Sequence, residues 1–214
     1  MVNYIDSLNE NMINTIKEYG VNNELIFNAM RKHKRHLFLD NDIDLKLAYS
    51  DNALLISNNQ TISQPYTVAL MLNLLDLKKG DNVLEIGTGS MWNAVLIKEI
   101  VKNGKVTTIE YEKNSIDKLK KLIKDKNFDI ELVHGDGAFG YKKNAPYDKI
   151  IVTCAIKEIF TELINQLNDF GIIVAPVGKN FQKMTKLIKK DDKINIENHG
   201  FFNFILMKGE KGFD

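Results

Sequence analysis

The sequence predicts a doubly wound, mostly parallel α/β sheet with an antiparallel C-terminal edge and an N-terminal helical extension, and three observations carry that prediction. Short, near-continuous apolar runs at 82–86, 105–111, 130–134, 149–154 and 171–177 alternate with helical stretches at 92–102, 114–126 and 158–167. That is the pattern of strands buried on both faces and covered by helices. The first run ends in a glycine-bearing turn, Gly87-Thr88-Gly89-Ser90, that leads into a helix. The chain has 214 residues, 44% hydrophobic and 27% charged, enough for one globular core and incompatible with a disulfide scaffold or a disordered chain.

Taken in order, Leu8 to Tyr19 reads as a helix, with Ser7 placed as its N-cap and Gly20 as its stop. Glu24 to Lys32 reads as a second helix after Asn22 and Asn23, and residues 37–61 are less regular. Pro65 suits the first turn of a third helix, where a missing N–H costs nothing. Beyond Val177, Met184 to Ile188 and Phe201 to Met207 read as an antiparallel edge pair, with Lys190-Asp191-Asp192-Lys193 between them. No internal repeat or Pro/Gly/Ser-rich linker divides the chain. The expectation is a single domain over 1–214, with 1–61 a helical and irregular segment on the substrate side and 62–214 the cofactor-binding α/β core.

Composition narrows the partners. With 29 basic and 28 acidic residues the net charge is +1, so no global field argues for nucleic acid or an anionic membrane. The N-terminus has no basic stretch followed by an apolar run, and no apolar segment approaches a membrane span. One cysteine, Cys154, excludes an intramolecular disulfide and reads as a small buried hydrophobe. Four histidines without metal-ligand spacing make a metal-free site the expectation, and His134 reads as a strand-end residue. A cytoplasmic location is expected. Sequence does not fix the oligomeric state, for which a monomer is the favoured expectation. Of the 29 basic residues only Arg31 and Arg35 are arginines, a bias read here as composition rather than chemistry.

The glycine turn lies where open α/β sheets bind ligands, at the carboxyl ends of strands. A dinucleotide fingerprint requires a third glycine where Trp92 stands, so NAD fits poorly. Glu85 sits badly beside a pyrophosphate but suits the ammonium and sulfonium of S-adenosylmethionine. Glu110, ending the second strand 23 positions after Gly87, matches the offset at which an acidic side chain accepts ribose hydroxyls. Asp136-Gly137, after the third strand, offers a carboxylate and an N–H to an adenine. Each has a plainer reading as a turn or a solvated acid. Their agreement on one ligand is what carries weight.

With these residues in view, the sequence resembles the protein-L-isoaspartate (D-aspartate) O-methyltransferases. The similar text is Gln60-Thr61-Ile62-Ser63-Gln64-Pro65-Tyr66, Val83 to Ser90, Gly135-Asp136-Gly137 with Gly140-Tyr141, Ala145-Pro146-Tyr147-Asp148 and Pro176-Val177-Gly178. The T-I-S-Q-P block is the most specific. The resemblance implies the Rossmann-like fold of S-adenosylmethionine-dependent methyltransferases. It also implies methyl transfer to the free α-carboxylate of L-isoaspartyl residues in damaged proteins and peptides, with S-adenosylhomocysteine as product. Carried over residue by residue, Ser63 lies next to the acceptor carboxylate and is the catalytic candidate, with Thr61, Ile62 and Val177 on the substrate side. Gln64, Glu85, Gly87, Gly89, Glu110, Asp136, Gly137 and Gln182 fall to the cofactor.

An α-carboxylate with a pKa near 3.5 is ionised at neutral pH, so its attack on a methyl carbon needs positioning rather than a base or a metal. Ser63 also fits as the N-cap of the helix that Pro65 begins. Met91 stands where the family usually has a third glycine, either crowding the cofactor's methionine portion or packing on the sheet. The closing strand lacks the family's usual proline. Two rival functions follow: an S-adenosylmethionine O-methyltransferase for a small molecule or dedicated peptide, and a binding module with weakened cofactor affinity.

Overall fold

The computed structural model describes residues 2–39, 42–56, 60–191 and 193–213. Near the N-terminus lie α1 (Val2–Glu18), α2 (Glu24–Lys32) and the short α3 (Leu45–Ala48). A two-stranded ribbon, β1 (Leu54–Leu55) with β2 (Thr61–Ile62), precedes α4 (Pro65–Leu75). The α/β core follows as β3 (Asn82–Ile86), α5 (Trp92–Val101), β4 (Lys105–Glu110), α6 (Lys113–Lys126), β5 (Glu131–His134), β6 (Tyr147–Val152), α7 (Thr161–Asn165), β7 (Leu167–Val177), β8 (Gln182–Lys190) and β9 (Lys193–Phe202). Seven strands form one sheet in the order β5-β4-β3-β6-β7-β8-β9. The five from β5 to β7 are parallel, and β8 and β9 add antiparallel. The predicted fold class is the observed one.

Strand alternation builds the layers. Val83, Ile151, Ile172 and Val174 face a cluster that includes α1, α2, α4 and α5. Their neighbours Leu84, Ile150, Ile173 and Ala175 face the opposite cluster, with Phe160 and Leu163. Because side chains point to opposite faces with period two, each nearly all-apolar strand feeds both cores at once. Helix α2 presents Ile26, Phe27, Ala29 and Met30 to the first cluster. It begins at Asn23, whose side chain accepts the Leu25 N–H at 3.1 Å. Pro65 occupies the first turn of α4 as expected. Among the described residues, no helix is long and apolar enough to cross a membrane.

Four expectations are corrected. Helix α1 begins at Val2, so Ser7 lies inside it rather than capping it; Ile5 and Leu8 extend the packed face N-terminally. The helix expected over 158–167 is only Thr161–Asn165, because Leu167 leaves it to pair with Tyr147 and lengthens β7 past the expected Gly171–Val177. The last strand is Lys193–Phe202, not Phe201–Met207. As an exposed sheet edge it carries Asn195, Glu197 and His199, so no apolar run marked it. Of the connecting residues, Asp192 lies outside the described residues. Finally, Ser63 does not cap α4. That position belongs to Gln64, and the Tyr66 N–H is taken at 2.8 Å by Asp51 Oδ1 from an earlier segment.

Candidate active site

Parallel strands β3 and β4 deliver their carboxyl ends side by side, with Ile86 paired to Ile109. The chain turns sharply at Gly87, where φ is +96°. A Cβ there would lie 2.4 Å from Thr153 Oγ1, which donates to the Gly87 carbonyl at 2.6 Å, so only glycine permits the turn. The Gly89 N–H donates at 3.0 Å to Oε2 of Glu110, the last residue of β4. Glu110 is 2% exposed, and its Oε1 accepts from the Glu112 N–H at 2.8 Å and from Gln60 Nε2 at 3.0 Å. The carboxyl group is thus held by two main-chain donors and one side-chain amide beside a glycine turn.

A cavity of about 810 Å³ opens on this turn. Its floor is Gly87 to Ser90, and its roof is Thr61, Ile62, Ser63 and Gln64, with Asp51 and Asn52 from the preceding loop. A third wall is Phe201 to Ile205, the segment that leaves β9. Trp92 closes the back, 1% exposed, its Nε1 donating to the His33 carbonyl at 2.8 Å. Cys154 also touches the cavity; burial and the negative charges of Glu110 and Asp136 push its thiol up to about 12, so it stays protonated. The glycine backbone on the floor is open to close approach, with a buried carboxylate behind the turn.

Thr61, Ile62, Ser63, Gln64, Gly87 and Gly89 therefore meet around one cavity, with Glu110 against its glycine turn. Other predicted residues stand elsewhere. Glu85 was expected to face the cofactor's cation, but it is wholly buried on β3 below the cavity. It accepts from Thr108 Oγ1 and, at 2.7 Å, from Asn93 Nδ2. Burial, helped by the charge of Glu110, pushes its carboxyl up to about 7 against the pull of those two hydrogen bonds. Asn93 is the residue that reaches the wall. Gln182 is 2% exposed and ties down the Phe204 backbone, donating to its carbonyl at 3.0 Å and accepting from its N–H. It fixes the third wall rather than lining it.

Asp136 sits past β5, outside the cavity wall. Its Oδ1 accepts from the Ala138 N–H at 2.9 Å and its Oδ2 from the Glu210 N–H at 2.8 Å. Gly137 is packed under β3, where a Cβ would lie 2.3 Å from Ile86 Cγ2. Val177 ends β7 and bridges to Ile156. Met91 is 0% exposed, joins the core and is not among the residues that line the cavity, so of its two readings the structure supports the packed one. Its φ of +73° puts a side chain in the left-handed region, the conformation a glycine takes freely. Residues that the sequence did not single out also shape the site, Asp51 and Asn93 on the wall and Arg35 behind it. For Arg35 a signal existed in its rarity; for Asp51 and Asn93 nothing local pointed to them.

Comparison with known proteins decides the family. The family model described as Protein-L-isoaspartate(D-aspartate) O-methyltransferase matches residues 7–212. The chain belongs to that family. Among curated relatives, Protein-L-isoaspartate O-methyltransferase 2 of Archaeoglobus fulgidus is 43% identical over 192 residues, covering 88% of this chain and 87% of the relative. The Protein-L-isoaspartate O-methyltransferase of Dictyoglomus turgidum is 39% identical over 206 residues, covering 95% and 92%. A solved protein-L-isoaspartate O-methyltransferase superposes with a TM-score of 0.88 at 29% identity, over 95% of this chain and 67% of that one. A Plasmodium falciparum structure in complex with S-adenosyl-L-homocysteine has a TM-score of 0.79 at 22% identity, a likeness of fold. Membership in the isoaspartate methyltransferases makes this chain an S-adenosylmethionine-dependent enzyme.

Proposed function

We propose that this member of the family methylates the free α-carboxylate of L-isoaspartyl residues in damaged proteins and peptides, with Ser63 at the acceptor. One observation carries the residue assignment: the T-I-S block and the glycine turn, more than twenty residues apart in sequence, line a single cavity. S-adenosylmethionine, when bound, supplies an electrophilic methyl group on a sulfonium. Gly87 and Gly89 would let it approach the backbone, and Glu110, whose Oε1 now accepts from Gln60 Nε2, would take the ribose hydroxyls. Asn93 reaches the same wall, backed by Glu85.

The acceptor is already ionised at neutral pH, so the protein's task is to hold one carboxylate oxygen in line with the methyl group. Ser63 supports this role because it stands at the entry to α4, where the positive end of the helix dipole favours an anion. Among the described residues nothing bonds to its hydroxyl, which leaves the O–H free to donate. The reading of a binding module with weakened cofactor affinity rested on Met91 narrowing the pocket, and Met91 is buried in the core. The test is a methyl-transfer assay on an isoaspartyl peptide and its normal aspartyl twin. Transfer to the isoaspartyl form alone is expected. Equal transfer to both, or to neither while a small carboxylic acid is methylated, would overturn the proposal.

A further inference from the structure

Arginine is used sparingly in this chain: two of 29 basic residues, the other 27 being lysine. Arg31 lies on the surface, holding Glu10 and Glu24. Arg35 is 0% exposed. Its Nη1 donates to the Ala48 carbonyl, and its Nη2 donates to the carbonyls of Asn52 at 2.8 Å and Ser63 at 3.2 Å. Its guanidinium carbon lies 5.7 Å from the ring centre of Trp92, the back wall of the cavity. Burial lowers its pKa to about 10, which leaves it a cation at neutral pH, and its Nε stays buried without a partner. Holding a guanidinium there costs desolvation and an unmet donor. A compact ammonium cannot span the three carbonyls that the planar fork reaches.

A second ion holds the residues that follow Ser63. Asp51, whose charge favours the Arg35 cation, accepts from Gln64 Nε2 at 2.7 Å and from the Tyr66 N–H at 2.8 Å. Arg35 thus holds the carbonyl of Ser63 while Asp51 holds the residue after it and the first turn of α4. Both ions bind main chain or the flanking glutamine, and neither touches the Ser63 hydroxyl. We propose that Arg35, acting with Asp51, is a positioning residue for methyl transfer: Arg35 ties the Ser63 carbonyl to the 48–52 segment and Asp51 ties down the residues that follow, so that Ser63 is held at the cavity with its hydroxyl left free for the acceptor carboxylate. This rests on the reading of Ser63 given above.

The test is a double-mutant cycle of Arg35→Lys with Ser63→Ala, reading kcat and KM for an isoaspartyl peptide, the Kd of S-adenosylhomocysteine by calorimetry, and the melting temperature. Ser63→Ala is expected to lower kcat/KM about tenfold. Arg35→Lys should lower it at least about fivefold, with a raised peptide KM and a cofactor-product Kd within about twofold of the parent. The double variant should lose no more than the worse single variant, because Arg35 acts through Ser63. Losses that multiply in the double variant, or a Kd that weakens as much as the peptide KM rises, would overturn the proposal. Unchanged transfer by Ser63→Ala alone would instead overturn the reading beneath it. If Arg35→Lys does not fold, Asp51→Asn enters the same cycle in its place, with the same expected and overturning results.

Discussion

The floor and the roof of the cavity are built differently. The floor, from Gly87 to Glu110, is the end of a parallel sheet: its backbone is placed by strand pairing, its turn by glycine, and its carboxylate by main-chain N–H groups. The roof, from Thr61 to Gln64, has only a two-residue strand of its own and is held by ions reaching in from residues 35 and 51. A strand-end site tolerates little variation because the sheet dictates it. A strapped loop can be tuned one polar contact at a time, which suits the side that must discriminate one carboxylate from another.

The largest expected effect breaks the floor. Met91→Gly relieves a left-handed side chain, worth about 1 kcal/mol, but empties a buried site whose loss costs about 2 to 5 kcal/mol, so a net destabilisation of roughly 1 to 4 kcal/mol is expected. Denaturation should register it while titration finds cofactor affinity no better. Improved affinity would mean that Met91 does narrow the cavity.

Glu85 sharpens the comparison through pH. Unfolded, its carboxyl ionises near the ordinary 4.5; folded, it holds its proton up to about 7. The folded state therefore binds more protons across that window, and this residue's contribution to stability falls as pH rises from about 4.5 to 7, with the full cost standing above it. Glu85→Gln lacks that cost. Relative to the parent it should gain up to about 3 kcal/mol between pH 5 and pH 8. A difference that stays flat with pH would show that Glu85 is ionised in the folded protein at both.

Glu110→Ala should weaken S-adenosylhomocysteine binding by roughly 1 to 3 kcal/mol, the loss of a charged acceptor for ribose hydroxyls. Unchanged binding by calorimetry would take Glu110 out of the site. The smallest effect belongs to the roof. Ser63→Ala is expected to cost about tenfold in turnover, roughly 1.4 kcal/mol, with cofactor affinity and melting temperature intact. A melting temperature that falls while turnover holds would return Ser63 to a structural role.

Legibility followed the same division. The parallel strands were readable because each is apolar on both faces, and Gly87 and Glu110 because strand ends fall at fixed offsets. Strand β9 was misplaced because an exposed edge carries no such signal, and Glu85 was aimed at the cofactor because sequence gives adjacency to a turn but not the face a side chain takes. Val83 and Glu85 share a face of β3, and that face is covered by α5, whose Asn93 lies over the carboxylate.

Local chemistry written in the chain determined the layers of the sheet, the glycine turn, the acidic end of β4 and the T-I-S block, since apolar periodicity and glycine act over a few residues. Tertiary structure decided that Ser63 and Gly87 line one cavity, that Met91 packs inward, that Asn93 joins Glu85 to the cavity wall, and that Arg35 is a strap rather than a surface charge. Those outcomes depend on segments many residues apart meeting in a desolvated interior, where an ion's partners are whichever carbonyls the fold brings to it.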